Sequence, residues 1–351
     1  MIRLSGFREY NVAGIAIPSA DNMGLTIGRG DPMGWTPDRI IVESCIFGGR
    51  RESRLHSHGS IGDTAVWIVS PAIETRVTGC RISETGDDAI YVGHSNTKAV
   101  LRVEIRENTL ADIGVGIGIS VPGAEVVGNR IDRTNVCAIR CERQNDNQAS
   151  GAIIEGNVIC RAGQLEAGDI GEHIIPKTHP HAIFVHEPVG RVTVSNNQIK
   201  GTRGCALVVL SHNDGPTESL YVEGGQYDRI GIDRNGTPLA HGRSAVFRRA
   251  GFVPNEIRNF IARGVSVRGS NHPLLDWTVS GFHADGPISM LDAQLIGCDL
   301  GNQPIIKLTS RFGAGLEPVH VSYSKENSKI TKAVETSYFL QDPDLNVAEK
   351  T

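Results

Sequence analysis

Ile105-Arg106-Glu107-Asn108-Thr109-Leu110 is answered one unit later by Val126-Val127-Gly128-Asn129-Arg130-Ile131. Each is an aliphatic residue, two further residues, an Asn, a spacer and an apolar residue. The pattern returns, with Cys or Asn as its anchor, at Val42–Phe47, Val77–Ile82, Ile154–Ile159, Val194–Ile199 and Leu295–Leu300. Successive anchor positions 80, 108, 129, 157, 197 and 225 are separated by 28, 21, 28, 40 and 28 residues. The unit is therefore a little over 20 residues, with insertions at its corners.

A second pattern follows the first in each unit: a small residue, then apolar, variable, apolar. Its copies are Ala65–Ile68, Ala89–Val92, Gly116–Ile119, Ala138–Cys141, Ala182–Val185 and Ala206–Val209, with Gly14–Ile17 as an expected earlier copy. Alternation with period two turns the second and fourth residues one way and the third the other. A third apolar segment, such as Leu101–Ile105, fills the remaining side. Short strands at this spacing, separated by Gly and Asn corners, predict an all-β solenoid of parallel strands. A leucine-rich repeat needs a denser Leu pattern, and a propeller blade needs four antiparallel strands with hairpins. At the anchors, Asn tolerates a left-handed corner, and stacked Asn amides bond from coil to coil.

Composition agrees with a solenoid and narrows the function. The 351 residues include 41 Gly and only 5% aromatic residues. No apolar run approaches the roughly 18–20 residues of a membrane helix. Residues 1–20 lack the order of a secretory signal, so the chain is expected either not to be exported or to be a mature form, with its compartment unknown. A net charge of −4 argues against general nucleic-acid binding. The seven cysteines form no CxxC pair and sit mostly within apolar patterns, which predicts buried free thiols.

These patterns resemble the right-handed parallel β-helix of the pectin-lyase-like superfamily, which includes pectate lyases, polygalacturonases, alginate epimerases and phage tailspikes. The resemblance is close over residues 1–230 and looser to 310. It implies a right-handed β-helix over residues 1–310, with 311–351 as a C-terminal cap or loose tail. The start lacks the amphipathic helix that often plugs the first coil, so another chain or further residues are expected to cover that end.

Stacking the second pattern puts Ala16, Trp67, Tyr91, Gly118, Arg140, Phe184 and Val208 in one outward column. Gly62-Asp63-Thr64-Ala65 and Gly86-Asp87-Asp88-Ala89 become successive copies of one turn. With coils about 4.8 Å apart, Asp63 and Asp87 are expected within roughly 5 Å, with Asp88 beside them. Carboxylates that close cannot all ionise freely, so one should be held protonated as a candidate general acid. The order also resembles polygalacturonases, whose motifs run Asn-Thr-Asp, Asp-Asp, Gly-His-Gly and Arg-x-Lys on successive coils. The positions here are Gly62-Asp63-Thr64, Asp87-Asp88, Gly114-Val115-Gly116 and Arg140-Cys141-Glu142. The Asp pair and Arg140 match, whereas Val115 stands for the histidine and Glu142 for the lysine. Glu142, at the far end of its strand, is expected roughly 15–20 Å from Asp88 and solvated or paired with Arg143.

Asp63, Asp87 and Asp88 are thus the candidate catalytic residues, with turn capping as their structural alternative. Trp67, Tyr91 and Phe184 are candidate sugar-stacking residues that have packing beneath loops as their alternative. His94, Arg140 and His181 complete the substrate-binding set. Arg50, Arg51 and Arg54 in the 48–62 insertion, and the 162–180 insertion, are expected to wall a groove. His56, His58, His179 and His181 lack a matched third ligand, so no metal site is expected. The resemblance implies a glycoside hydrolase acting on a polysaccharide or oligosaccharide, without a cofactor. A lyase or epimerase on a uronate polymer is the second reading, with Arg140, His94 or His181 as base and Ca²⁺ as an aid. A non-catalytic, tailspike-like saccharide-binding module, as a homotrimer, is the third. No nucleic-acid or membrane partner is expected.

Overall fold

Successive units stack in parallel, so that one chain builds three long sheet faces. The computed structural model describes residues 2–350 apart from 21–23, 29–35, 50–63, 70–71, 94–101, 145–146, 166–179, 187–189, 212–216, 240–243, 252–255, 280–284, 312–314, 340 and 342. The first face carries the strands Val66–Ile68, Asp88–Val92, Val115–Ile119, Ile139–Gln144, Ile183–His186 and Leu207–Ser211 in spatial order. The other two faces run beside it, one through Arg102–Arg106 and Ala124–Val127, the other through Thr109–Ile113 and Arg130–Thr134. They merge where the single strand Ile288–Ile296 crosses their shared corner. Among the described residues no helix is long and apolar enough to cross a membrane. The architecture is a right-handed parallel β-helix.

The inward positions hold the stack together. Ile90 pairs in register with Ile117, and the column continues through Ile139, Ile183, Leu207, Phe247 and Leu275. Every one of these is at most 2% exposed. Burying each such side chain contributes about 1.5–3 kcal/mol, which is why alternation survives where other sequence features do not.

The corner before the third face is held by an amide ladder. Asn108 Nδ2 donates to Asn129 Oδ1 at 3.0 Å, Asn129 Nδ2 to Asn157 Oδ1 at 3.0 Å, and Asn157 Nδ2 to Asn197 Oδ1 at 2.9 Å. Each of these Oδ1 atoms also accepts the backbone N–H of the preceding anchor, at 2.9–3.0 Å. The bonding is as expected, but the left-handed backbone belongs to the residue before each anchor. Gly79, Glu107, Gly128, Gly156, Asn196 and Gly224 have φ of +54° to +66°. Glycine is favoured at that position because no Cβ opposes the turn, and the anchor side chain is left to bond along the stack.

One other expectation is corrected. Gly14–Ile17 is not an early copy of the first-face strand: Ala16 and Ile17 pair with Ile46 and Phe47 on the third face. The earlier first-face strand is Leu25–Ile27, which pairs with Val66–Ile68. Gly24 precedes it, and a Cβ there would lie 2.6 Å from the Ala65 carbonyl oxygen. Beyond residue 310, where a cap or loose tail is expected, strands continue to pair in parallel with the preceding coils. Val319–Glu326 pairs with Ile288–Ile296, Lys329–Ser337 with Asp299–Ser310, and Leu345–Glu349 with Val319–Glu326. Backbone hydrogen bonds carry these last strands. The side chains of Lys329–Ser337 and Leu345–Glu349 are exposed or half-buried, so the apolar pattern is weak in these last two strands.

Candidate functional site

The outward column of the first face is built from Trp67, Tyr91, Gly118, Arg140, Phe184 and Val208, as the register of the repeat predicts. Gly118 decides what this column can hold. A Cβ there would lie 2.6 Å from Tyr91 Cδ2 and 2.7 Å from Asp88 Oδ1. Because it carries no side chain, Asp88 and Tyr91 close over its backbone and Arg140 reaches across from the next coil. Arg140 Nη2 donates to Asp88 Oδ2 at 3.0 Å and to Oδ1 at 3.3 Å. Its Nε lies 3.3 Å from Glu142 Oε2, and Tyr91 donates its hydroxyl to Glu142 Oε1 at 2.9 Å. The Arg140 guanidinium carbon also sits 5.9 Å from the Tyr91 ring centre, within cation–π range.

Glu142 is thus not remote from Asp88: both carboxylates share one guanidinium. Arg140 and Glu142, two residues apart on one strand, present to the same side. Asp88 stands at the corner, and its carboxylate oxygen reaches over the Gly118 backbone. Strand-length arithmetic between the two Cα atoms takes no account of this reach.

Burial sets the electrostatics. The side chains of Asp88 and Glu142 are 6% and 9% exposed. Burial raises the Asp88 carboxyl well above the usual carboxylate range; Arg140 opposes that rise, while Asp87 and Glu142 add to it. Burial and then Glu142 push the Tyr91 phenol upward. Burial works against the charged form of Arg140, but Asp88 and Glu142 outweigh it and hold the guanidinium cationic. Asp87, half-buried, completes the acidic turn.

The remaining candidates are placed as follows. Asp63, His94, Arg50, Arg51, Arg54, His56, His58 and His179 lie outside the described residues. Trp67 and Tyr91 are 4% and 6% exposed and pack together, instead of presenting open faces for sugar rings. Phe184 is 2% exposed and packs with Val115, Val136, Cys137, Cys205 and Val208. Val115 pairs in register with Asp88, so the strand neighbour of this acid is apolar. His181 is buried, and its Nδ1 accepts the Cys205 backbone N–H at 2.9 Å. That bond assigns the proton to Nε2 in the neutral ring, making Nε2 a donor.

Two charged features escaped the sequence reading. The strands Phe247–Gly251 and Leu275–Val279 continue the first face. Arg249 occupies an inward position there and pairs with Asp285 at 3.1 Å, both almost fully buried. Trp277 Nε1 donates to the same carboxylate at 2.9 Å. A charged residue at an inward position breaks the apolar pattern of the Phe247–Gly251 copy, and the Leu275–Val279 copy has Leu274 where the pattern expects a small residue. On the outward side, Arg248 pairs with Asp276 at 3.4 Å. Burial raises the Asp276 carboxyl against the pull of Arg248 and Lys307.

Among known proteins, the family model described as "Right handed beta helix region" matches residues 37–226, more than half of the chain. No curated protein matches the sequence. Two solved structures resemble the fold. One is an alginate lyase from Paenibacillus sp. str. FPU-7, 12% identical over 98% of this chain and 99% of that chain, with a TM-score of 0.38. The other is the Streptococcus pneumoniae surface protein and adhesin PfbA, 10% identical over 99% of this chain and 90% of that chain, with a TM-score of 0.35. Likenesses this distant carry no information on substrate.

Proposed function

The chain belongs to the right-handed β-helix family, and from that premise we propose that it is a carbohydrate-active protein with its reactive centre at Asp88, Arg140, Glu142 and Tyr91. The reading favoured is a glycoside hydrolase. The observation that carries it is a buried carboxyl, Asp88, raised in pKa and held within hydrogen-bond reach of a fixed guanidinium. A carboxyl with a raised pKa is what proton donation to a departing glycosidic oxygen needs. Asp88 donates that proton. Asp87, next to it and half-buried, activates the attacking water, with Asp63 as the further candidate in that role. Arg140 restrains Asp88 in the free protein, since its charge opposes the raised pKa. An acidic substituent on the substrate draws the guanidinium toward itself, and Asp88 then holds its proton more firmly as the substrate arrives.

The lyase reading needs a base that can take a proton from carbon. Arg140 is held cationic, and the Nε2 of His181 already carries a proton, so neither offers a free lone pair there. Ca²⁺ belongs to that reading alone, whereas the hydrolase reading requires no cofactor.

Incubation with a panel of polysaccharides, with and without EDTA, separates the alternatives. New reducing ends without ultraviolet-absorbing products support hydrolysis, and the Asp88→Asn variant should lose them while staying folded. Unsaturated products, or full activity in Asp88→Asn, overturn the assignment. Saccharide binding without turnover, from a stable homotrimer, establishes the binding module instead.

A further inference from the structure

The third face carries a basic cavity that the first-face site does not use. It has a volume of about 600 Å³ and is lined by Arg130, Arg133, Arg161, Lys200, Arg229 and Arg234. Three of these cations recur at one place in the repeat, four residues after the anchor: Arg133 after Asn129, Arg161 after Asn157, and Arg229 after position 225. All three have left-handed backbone, with φ of +48° to +52°. The conformation disfavours a long side chain, and earlier units have Glu84 and Asp112 at the same corner. The change from acid to arginine along this corner turns one stretch of the third face positive in a chain of net charge −4.

The cavity also has acceptors and an ordered wall. Asp132 and Asp233 line it, so six cations face two carboxylates there. Arg161 bonds both oxygens of Asp132, and Asp112 and Asp228 pair with Arg133, Lys200 and Arg229, so six cations stand against four acids. Asp233 Oδ1 accepts the backbone N–H groups of Asn235 and Thr237, both at 2.8 Å, and so braces the loop that forms one side. On the floor, Gln164 is 4% exposed and donates through Nε2 to the carbonyls of Gly201 and Ile232. Its Oε1 is buried without a partner. A buried acceptor in that condition is destabilising, and a hydroxyl reaching the floor would relieve it.

We infer that this cavity is a second saccharide site, one that binds an acidic oligosaccharide through its carboxylate groups at the arginines and its hydroxyls at Gln164, Asp132 and Asp233. The volume suits a small ligand instead of a protein surface. Among the described residues no aromatic side chain lines the cavity, which offers no stacking platform for nucleobases there. The inference does not depend on hydrolysis at the first face.

Calorimetric titration of the full chain tests it, with tri-galacturonate as probe. Matched arms use the neutral trisaccharide maltotriose, inorganic sulfate and a short single-stranded DNA. Tri-galacturonate should bind and the other three should not. The double variant Arg130→Glu/Lys200→Glu should weaken binding about tenfold or more, because it reverses charges at largely exposed positions. Gln164→Leu should weaken it separately, with circular dichroism and thermal melting confirming that both variants fold. All titrations are made on the Asp88→Asn background, so that turnover at the first face contributes no heat and the charge reversal alone reports on this cavity. Absence of binding, equal binding of DNA, or affinity unchanged by the charge reversal overturns the inference.

Discussion

Replacing Arg140 with Met isolates what the shared guanidinium does. Met fills much of the same space but removes every contact to Asp88 and Glu142, whose side chains are 6% and 9% exposed. Removing one partner from a buried ion pair costs about 3–5 kcal/mol. Arg140 itself is 23% exposed, which places the expected loss near the lower end, about 3 kcal/mol at about pH 8. The loss should depend on pH, with a definite sign. Asp88 is already raised by burial, Asp87 and Glu142, and only Arg140 opposes the rise. In the variant the folded-state pKa climbs further above its unfolded value. Stability is then fully present below the unfolded carboxylate pKa and is lost as pH rises toward the folded one. Urea unfolding of parent and variant should show the full deficit at about pH 8 and less than half of it at about pH 5. An equal deficit at both values, or none at either, would refute the claim that Asp88 is buried as an uncompensated acid once Arg140 is gone.

Further outcomes follow from other parts of the molecule. Asn129→Leu orphans the Asn108 backbone N–H and the inward bond to the Ile105 carbonyl, so denaturant unfolding should show a loss of about 2–4 kcal/mol. Cys80→Ala, at an anchor whose thiol makes only long contacts of 3.6–3.9 Å, should cost less; equal costs would remove the amide ladder from the account of stability. Asp285→Ala leaves Arg249 buried without its carboxylate and should cost about 3–5 kcal/mol, with a changed Trp277 fluorescence. An unchanged spectrum and melting point would contradict it. Burial pushes Cys80 and Cys137 up to about 12 and Cys205 up to about 11, whereas Cys160 is only half-buried. Thiol titration of the native protein at about pH 8 should label Cys160 first, and the deeply buried thiols only on unfolding. Rapid labelling of several thiols would count against this packing.

The fold was legible because its signals are local and repeated. An inward position such as Ile117 is apolar in most coils whatever lies outside the coil, and an anchor such as Asn129 holds a group that bonds to the coils on either side. Register then follows from counting, so the outward column from Trp67 to Val208 is fixed by the repeat alone. The copy at Phe247 was hidden because Arg249 stands at an inward position, and its compensation by Asp285 lies outside the repeat.

The candidate centre was legible only as a place. The sequence alone determined that Asp87 and Asp88 lie on one face two coils from Arg140, because parallel stacking turns position in the repeat into position in space. Which of them touch was decided by the tertiary structure. The missing side chain at Gly118 lets Asp88 and Tyr91 close over the strand, and Arg140 then joins Asp88 to Glu142, a partner that strand arithmetic put out of reach. Spacing along a strand measures backbone, whereas an Asp, an Arg and a Glu meet at the ends of their side chains, and those lengths enter only when the coils are packed together.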